Sequence, residues 1–296
     1  MTEIRRIVTH PGGAHKDDFL ACSLLAHVHE VAIYRREPTQ EDLDDPATCV
    51  VDVGGKHDSA RRNFDHHQFP RDHEPLCALS LVLQDMGLYE DGKAFCEWLE
   101  PAEWLDCLGP VETAQKLGVE RDVITKLVSP IDVTLLRRFA ACSELRAPDP
   151  LWHVMKMVGE DLVTYLKSLR QRLDEIATQA EWWSISSNGS TSNGSTFEAL
   201  FLPRADPPVD EPSFGLGRYI EEQGKNDTVI AMVYPDRRGS GYGLSRHNDD
   251  TRMDFTRIGV CEDVHFAHPR GFVAKSSATD RNRLRELLER AFRGHS

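Results

Sequence analysis

Four short stretches of the 296-residue chain carry histidines and aspartates in combinations that suit metal binding. The first is His10-(x4)-His15-x-Asp17-Asp18, in which one turn can aim two imidazoles and a carboxylate at a single point. The second is Asp52, followed by Val53-Gly54-Gly55, where glycine lets a ligand come close to the backbone. The third is Phe64-Asp65-His66-His67-Gln68, and the fourth is Asp132 within Pro130-Ile131-Asp132. Mixed imidazole and carboxylate donors suit Mn2+, Fe2+, Co2+ or Zn2+, whereas Mg2+ and Ca2+ sites are usually built from oxygen alone. Two such ions roughly 3.5–4 Å apart can share a hydroxide nucleophile and offset the charge that develops on phosphoryl oxygens. Asp52 is the natural carboxylate to bridge them, and the expected chemistry is hydrolysis of a phosphate ester.

The elements that must position these residues can be read from apolar periodicity. A strand over residues 5–9 ends at His10. The turn Pro11-Gly12-Gly13 follows, and then a helix over about 17–29 with Phe19, Leu20, Leu24, Leu25 and Val28 on one face. Further strands are expected over 31–34 and 49–53, the second apolar enough to be buried in a parallel sheet. Helices are expected over 76–86, 93–104 and 119–128, with Pro130 breaking the pattern and Asp132 at a strand end. Alternating strands and helices imply an α/β domain whose loops converge on a crevice at the strand ends. A lone histidine is usually a surface or core residue, and Asp18 reads better as a helix cap than as a ligand. The case for a metal centre is that four stretches fall at strand ends together.

Beyond this domain, residues 148–183 read as one long helical connector, followed by β-like runs over 228–234 and 242–245 and a basic helix over 280–293. The boundaries are therefore 1–147 for the metal-binding catalytic domain, 148–183 for the connector and 184–296 for a substrate-binding domain. The tandem Ser187-Asn188-Gly189-Ser190-Thr191 and Ser192-Asn193-Gly194-Ser195-Thr196 predicts an exposed turn or mobile loop.

Composition narrows the functions available. Hydrophobic residues at 40% and charged residues at 28% describe a chain that folds. No apolar run reaches the roughly 20 residues that span a bilayer, and the opening MTEIRRIVTHPGG lacks a secretory core, so a cytoplasmic protein without a membrane partner is expected. The net charge of −13 argues against a hold on long duplex DNA, which needs many Lys and Arg contacts to phosphates. Short RNA, an oligonucleotide or a small phosphorylated nucleotide remains compatible, because bound divalent ions reverse the local field. Seven cysteines without a C-x-x-C pair indicate neither a zinc ribbon nor a disulfide framework.

Asp65-His66-His67, downstream of Val51-Asp52-Val53-Gly54-Gly55, resembles the signature of the DHH phosphoesterase superfamily. With Thr9-His10-(x4)-His15-x-Asp17 and Arg62-Asn63-Phe64-Asp65-His66-His67-Gln68, the chain resembles the melanocyte-proliferating-gene exonuclease branch, within which metal-dependent 3′–5′ RNA exonuclease activity is known. The resemblance implies an N-terminal DHH-type domain with a mainly parallel sheet, a helical connector and a smaller C-terminal α/β domain, with the active site in the cleft between domains. It implies two divalent metal ions, Mn2+ first among the candidates, held by His10, His15, Asp17, Asp52, His66 and Asp132. Asp65 would orient His66, and His67 would face the substrate phosphate, which makes Asp52, Asp65 and His67 the catalytic group. Phosphate contacts from the second domain would come from Arg246 in Gly243-Leu244-Ser245-Arg246. His268 and Gly271 in His265-Phe266-Ala267-His268-Pro269-Arg270-Gly271-Phe272 would add to them. The chain departs from the superfamily pattern where His15-x-Asp17 replaces Asp-x-Asp and where Lys275-Ser276-Ser277 replaces further glycine. The activity implied is phosphodiester hydrolysis, as a 3′–5′ exonuclease on short RNA. A pyrophosphatase-like or cyclic-dinucleotide phosphodiesterase is the alternative within catalysis, and a non-catalytic metal- or nucleotide-binding regulator is the alternative outside it.

Overall fold

The apolar segment Thr48–Val51 is buried at every position, as a strand covered on both faces must be. It sits near the middle of a six-stranded sheet in the computed structural model, which describes residues 3–186 and 196–293. The strands are β1 (Arg6–Thr9), β2 (Ala32–Arg35), β3 (Thr48–Val51), β4 (His57–Asp58), β5 (Asn63–Phe64) and β6 (Glu144–Leu145), in the spatial order β4-β5-β3-β1-β2-β6. The inner pairs β1·β2, β1·β3 and β3·β5 are parallel, and only the outer strands β4 and β6 run antiparallel to their neighbours. The mainly parallel sheet expected for the N-terminal half is therefore present.

Around it lie α1 (Lys16–His29), α2 (Gln40–Asp44), α3 (Ala78–Asp85), α4 (Tyr89–Phe95), α5 (Leu99–Cys107), α6 (Gly109–Lys116), α7 (Arg121–Lys126) and α8 (Pro130–Ala140). Two expectations need correction. The helix expected over 93–104 is two helices, because Pro101 lacks an amide hydrogen and its ring would clash with the carbonyl of Glu97 in a continuous helix. Pro130 does not end a pattern but opens α8 at its first position, where Ser129 caps by accepting the Ile131 amide at 3.1 Å. Asp132 accordingly sits in the first turn of a helix, not at a strand end.

The chain divides into two compact units, Met1–Ser168 and Leu169–Ser296, and α9 (Pro150–Gln179) runs through the boundary. The helix stops four residues short of Trp183, because Glu181–Ser186 forms β7 instead. With β8 (Thr196–Phe201), β9 (Val229–Pro235), β10 (Tyr242–Arg246), β11 (Val264–Ala267) and β12 (Val273–Ser276), it makes a second six-stranded sheet in the order β11-β12-β10-β9-β8-β7. All its pairs are antiparallel except β8·β9. Helices α10 (Leu216–Glu222) and α11 (Arg281–Ala291) complete this unit, and Leu284, Leu287 and Leu288 of α11 join its buried core. The tandem repeat, up to Ser195, lies outside the described residues. Among the described residues, no helix is long and apolar enough to cross a membrane.

Within the first unit, Gly159 of α9 lies so close to α1 that a Cβ there would collide with the backbone carbonyl of Ser23. Helix propensity alone would make Gly159→Ala stabilising by about 1 kcal/mol. The close approach reverses the sign, and we expect a net loss of about 1–3 kcal/mol in denaturant unfolding. An unchanged or raised midpoint would contradict the packing.

Candidate metal centre

Strand register brings the first residues of the centre together. Thr9 pairs with Val51, and Val51 with Phe64, so the next residues His10, Asp52 and Asp65 leave the ends of β1, β3 and β5 side by side. Asp52 adopts a left-handed backbone, φ 56°, which costs a non-glycine residue about 1–2 kcal/mol. Its amide donates to the Phe64 carbonyl at 3.0 Å, and its side chain is buried. The two carboxylate oxygens face different histidines: Oδ2 lies 3.3 Å from His10 Nε2, and Oδ1 lies 3.2 Å from His66 Nε2.

Two helices complete the cluster. The start of α1 supplies His15 and Asp17, and the end of α5 supplies Asp106, whose Oδ2 is 2.9 Å from His66 Nε2 and whose Oδ1 is 3.5 Å from His15 Nδ1. Four overlapping sets of donor atoms result, each within 4.8 Å: His10, His15 and Asp52; Asp52, His66 and His67; His66, Asp106 and Cys107; His15, Asp17 and Asp106. Asp18 caps α1 by accepting the His15 amide at 2.7 Å, and its other oxygen lies 3.3 Å from His10 Nε2 and 3.5 Å from Arg35 Nη1. Arg35 is buried, packs over the Phe139 ring at 4.3 Å, and donates to the Gly13 carbonyl at 2.9 Å, which secures the loop between His10 and His15.

The donor set fits a first-row divalent cation. His10 Nδ1 donates to the Pro11 carbonyl at 3.0 Å, which leaves Nε2 free to present a lone pair toward the carboxylates. His10 Nε2, His66 Nε2, both oxygens of Asp17 and one oxygen each of Asp18 and Asp52 are buried with no aligned hydrogen-bond partner. Buried acceptors facing one another without a donor are unstable unless a cation or proton stands between them. In the metal-free chain, protons take that place. The Asp18 and Asp52 carboxylates push His10 up to about 10. Burial works against a charged His66, yet Asp106 and Asp52 push it up to about 12. Asp106 likewise raises His15. Burial, with Asp52, Asp106 and Asp18 nearby, lifts Asp17 well above the carboxylate range. Burial also acts to raise Asp52 and Asp106, but their histidine partners outweigh it and hold both below that range.

Not every expected residue falls where the sequence suggested. Asp132 belongs to none of the donor sets among the described residues; its Oδ2 pairs with Lys16 Nζ at 2.9 Å. Asp106 joins the cluster instead. It was missed because a single acid in a helix usually faces water, although its position shares a face with Leu99, Ala102 and the buried Glu103. Asp65 does not hold His66: its Oδ1 lies 2.7 Å from His67 Nδ1 and accepts the His67 amide at 3.1 Å, and Oδ2 accepts the Gly55 amide at 2.5 Å. The partner of His66 Nδ1 is the Cys107 thiol, 3.7 Å away.

In the second unit, Arg246, His268 and Gly271 lie together. Arg246 Nε donates to the Met253 carbonyl at 2.7 Å, and its side chain is only 12% exposed, unlike a solvated surface arginine. Gly271, φ 73°, donates its amide to the His268 carbonyl at 2.8 Å, and a Cβ there would strike Asp254 and crowd the Arg246 guanidinium. The His268 ring packs 4.0 Å from that of Phe272.

Known proteins are similar in sequence to the first part of the chain. The sequence profile of the MYG1_exonuc family, described as an uncharacterised protein family (UPF0160), matches residues 6–82, which span His10 to His67. The MYG1 exonucleases of Homo sapiens and Bos taurus are each 45% identical to the chain, over 65 and 67 residues respectively. Each match covers 21% of this chain and only 17% of the relative's length. A solved structure of the pGpG-specific phosphodiesterase PggH from Vibrio cholrae aligns over 97% of the chain and 98% of its own, at 13% identity and a TM-score of 0.32.

Because His10 and His66 hold protons at neutral pH in the metal-free chain, a divalent ion must displace them to bind. Binding of Mn2+ should therefore release protons and tighten as pH rises from 6 toward 9. Calorimetric titrations in buffers of different ionisation enthalpy measure the release directly. A heat that is the same in every buffer would contradict the protonation argued above.

Proposed function

We propose that the chain is a metal-dependent phosphodiesterase that hydrolyses short RNA or small nucleotides, in keeping with a 3′–5′ exonuclease. The observation that carries this reading is the division of the Asp52 oxygens between His10 and His66, the arrangement a bridging carboxylate needs. One divalent ion, Mn2+ first among the candidates, would be held on the His10 side and a second on the His66 side. Asp52 would be shared, with Asp17, Asp106 and His15 completing the sets. Asp106 takes the place first expected of Asp132. When bound, the pair of ions activates water and offsets charge on the phosphoryl oxygens. The similarity of residues 6–82 to the MYG1 exonuclease family supports the same reading for the part of the chain that carries His10, Asp52 and His66.

Residues other than the ion ligands would have separable roles. Asp65 accepts from His67 Nδ1, so the ring is fixed with Nε2 turned outward, and a side chain 64% exposed can reach a bound phosphate. His67 is then a substrate contact and proton donor, with Asp65 as its positioning residue. Arg246 offers a planar pair of donors to a phosphate, with Nε already fixed by Met253, and His268 and Gly271 shape the same patch.

With Mn2+ present, Asp52→Asn and Asp106→Asn should each lose bound metal and turnover of a labelled oligoribonucleotide, whereas Asp132→Asn should keep its metal. Elemental analysis beside the turnover assay tests both. Two ions and wild-type turnover in Asp52→Asn would defeat the reading, and full metal loading without turnover of any phosphodiester would favour a binding regulator.

Arg246→Lys should raise KM about tenfold and leave metal content unchanged, because an ammonium cannot reproduce a two-donor planar contact. Unaltered steady-state kinetics in this variant would remove Arg246 from the site.

A further inference from the structure

Beside the metal cluster, the first unit contains a cavity of about 370 Å3 whose lining is almost wholly apolar, including Phe19, Leu20, Trp98, Leu105, Leu136 and Val158. It shares Lys16, Ala102, Leu105 and Leu136 with a neighbouring cavity of about 270 Å3 lined by His15, Asp17 and Asp106. An open apolar chamber of this size that adjoins a polar cluster is the usual form of a small-molecule subsite. Trp98 is 41% exposed, a large aromatic surface left in contact with solvent. The only charged side chains on the wall are Lys16 and Asp132, paired at 2.9 Å, and Lys16 lines both cavities.

We propose that this cavity is a nucleobase subsite: one base of the substrate packs against Trp98 while its phosphate lies at the metal cluster. The proposal rests on the phosphodiesterase reading and deepens it. Lys16 lines both cavities, so on binding it can exchange Asp132 for the substrate phosphate. The released Asp132 carboxylate accepts only, and it selects a base edge that donates. Guanine offers two N–H groups on one such edge. This gives Asp132 a substrate role in place of a metal role. A further cavity at the cluster, lined by residues that include His66, His67, Phe69 and His73, is a poorer host, because the Phe69 and His73 rings are already stacked on each other at 4.4 Å.

The test is calorimetric binding of guanosine 5′-monophosphate and of ribose 5-phosphate to the Mn2+-loaded full chain. The nucleotide should bind about tenfold more tightly than the sugar phosphate, the range expected for one stacked base. Trp98→Ala and the cavity-filling Leu135→Trp should each bring the nucleotide to the sugar-phosphate value with metal content unchanged. Equal affinities in the wild type would overturn the proposal. So would a preference that survives both variants, or one lost in Phe69→Ala but kept in Trp98→Ala. Oligoribonucleotide turnover, measured in parallel, separates the two claims: a base preference without turnover removes the hydrolase reading alone, and turnover without a base preference removes the subsite alone.

Discussion

Four carboxyl groups, Asp17, Asp18, Asp52 and Asp106, are largely buried together where the inner strands of the first sheet end, and much of the surrounding structure answers the cost of holding negative charge there. Burying one unpaired carboxylate is costly, and burying four together is more so. Arg35 is the fixed cation, held by Phe139 and by loop carbonyls within reach of Asp18. His10 and His66 supply charge that can be surrendered, since neighbouring carboxylates push them up to about 10 and about 12, and Asp106 raises His15 in the same direction. A permanent charge on one side and exchangeable ones on the other suit a site that gives up protons to bind metal.

The geometry that brings the acids together is set by the backbone. Parallel register aligns the exits of β1, β3 and β5, and the left-handed turn at Asp52 holds its carboxylate between the residues that leave the other two strands. Asp106 needs a different support, because it arrives on a helix. One turn earlier, the buried Glu103 accepts from Ser80 Oγ at 2.5 Å and Tyr89 Oη at 2.9 Å, tying α5 to α3 and α4. A carboxylate with two hydroxyl donors fixes the rotation of α5, and Asp106 three residues on inherits that orientation.

This difference explains what was legible in the sequence. His10 and Asp52 lie at the ends of short, near-continuous apolar runs, and the glycines that follow each mark where the strand ends, whereas His66 was found through the Asp65-His66-His67 triplet. Asp106 has no such marker, since its signal is a second acid on the apolar face of α5, visible only once that helix is known to be buried. Asp132 was misplaced because Pro130 was read as a terminator, whereas proline is also favoured at the first position of a helix. The exchange of partners at Asp65 was out of reach of spacing altogether. Adjacent histidines 66 and 67 offer equal prospects to a neighbouring carboxylate, and only the folded chain, in which Asp65 Oδ1 also accepts the His67 amide, decides which ring it meets.

The central claim is that these carboxylates enclose two ions which share Asp52, and anomalous diffraction from crystals grown with Mn2+ addresses it most directly. The account predicts two manganese peaks about 3.5–4 Å apart, with one Asp52 oxygen on each and His10 and His66 on opposite ions. A single peak, a pair that leaves Asp52 uncoordinated, or a fully ordered cluster with no anomalous signal at saturating Mn2+ would contradict it.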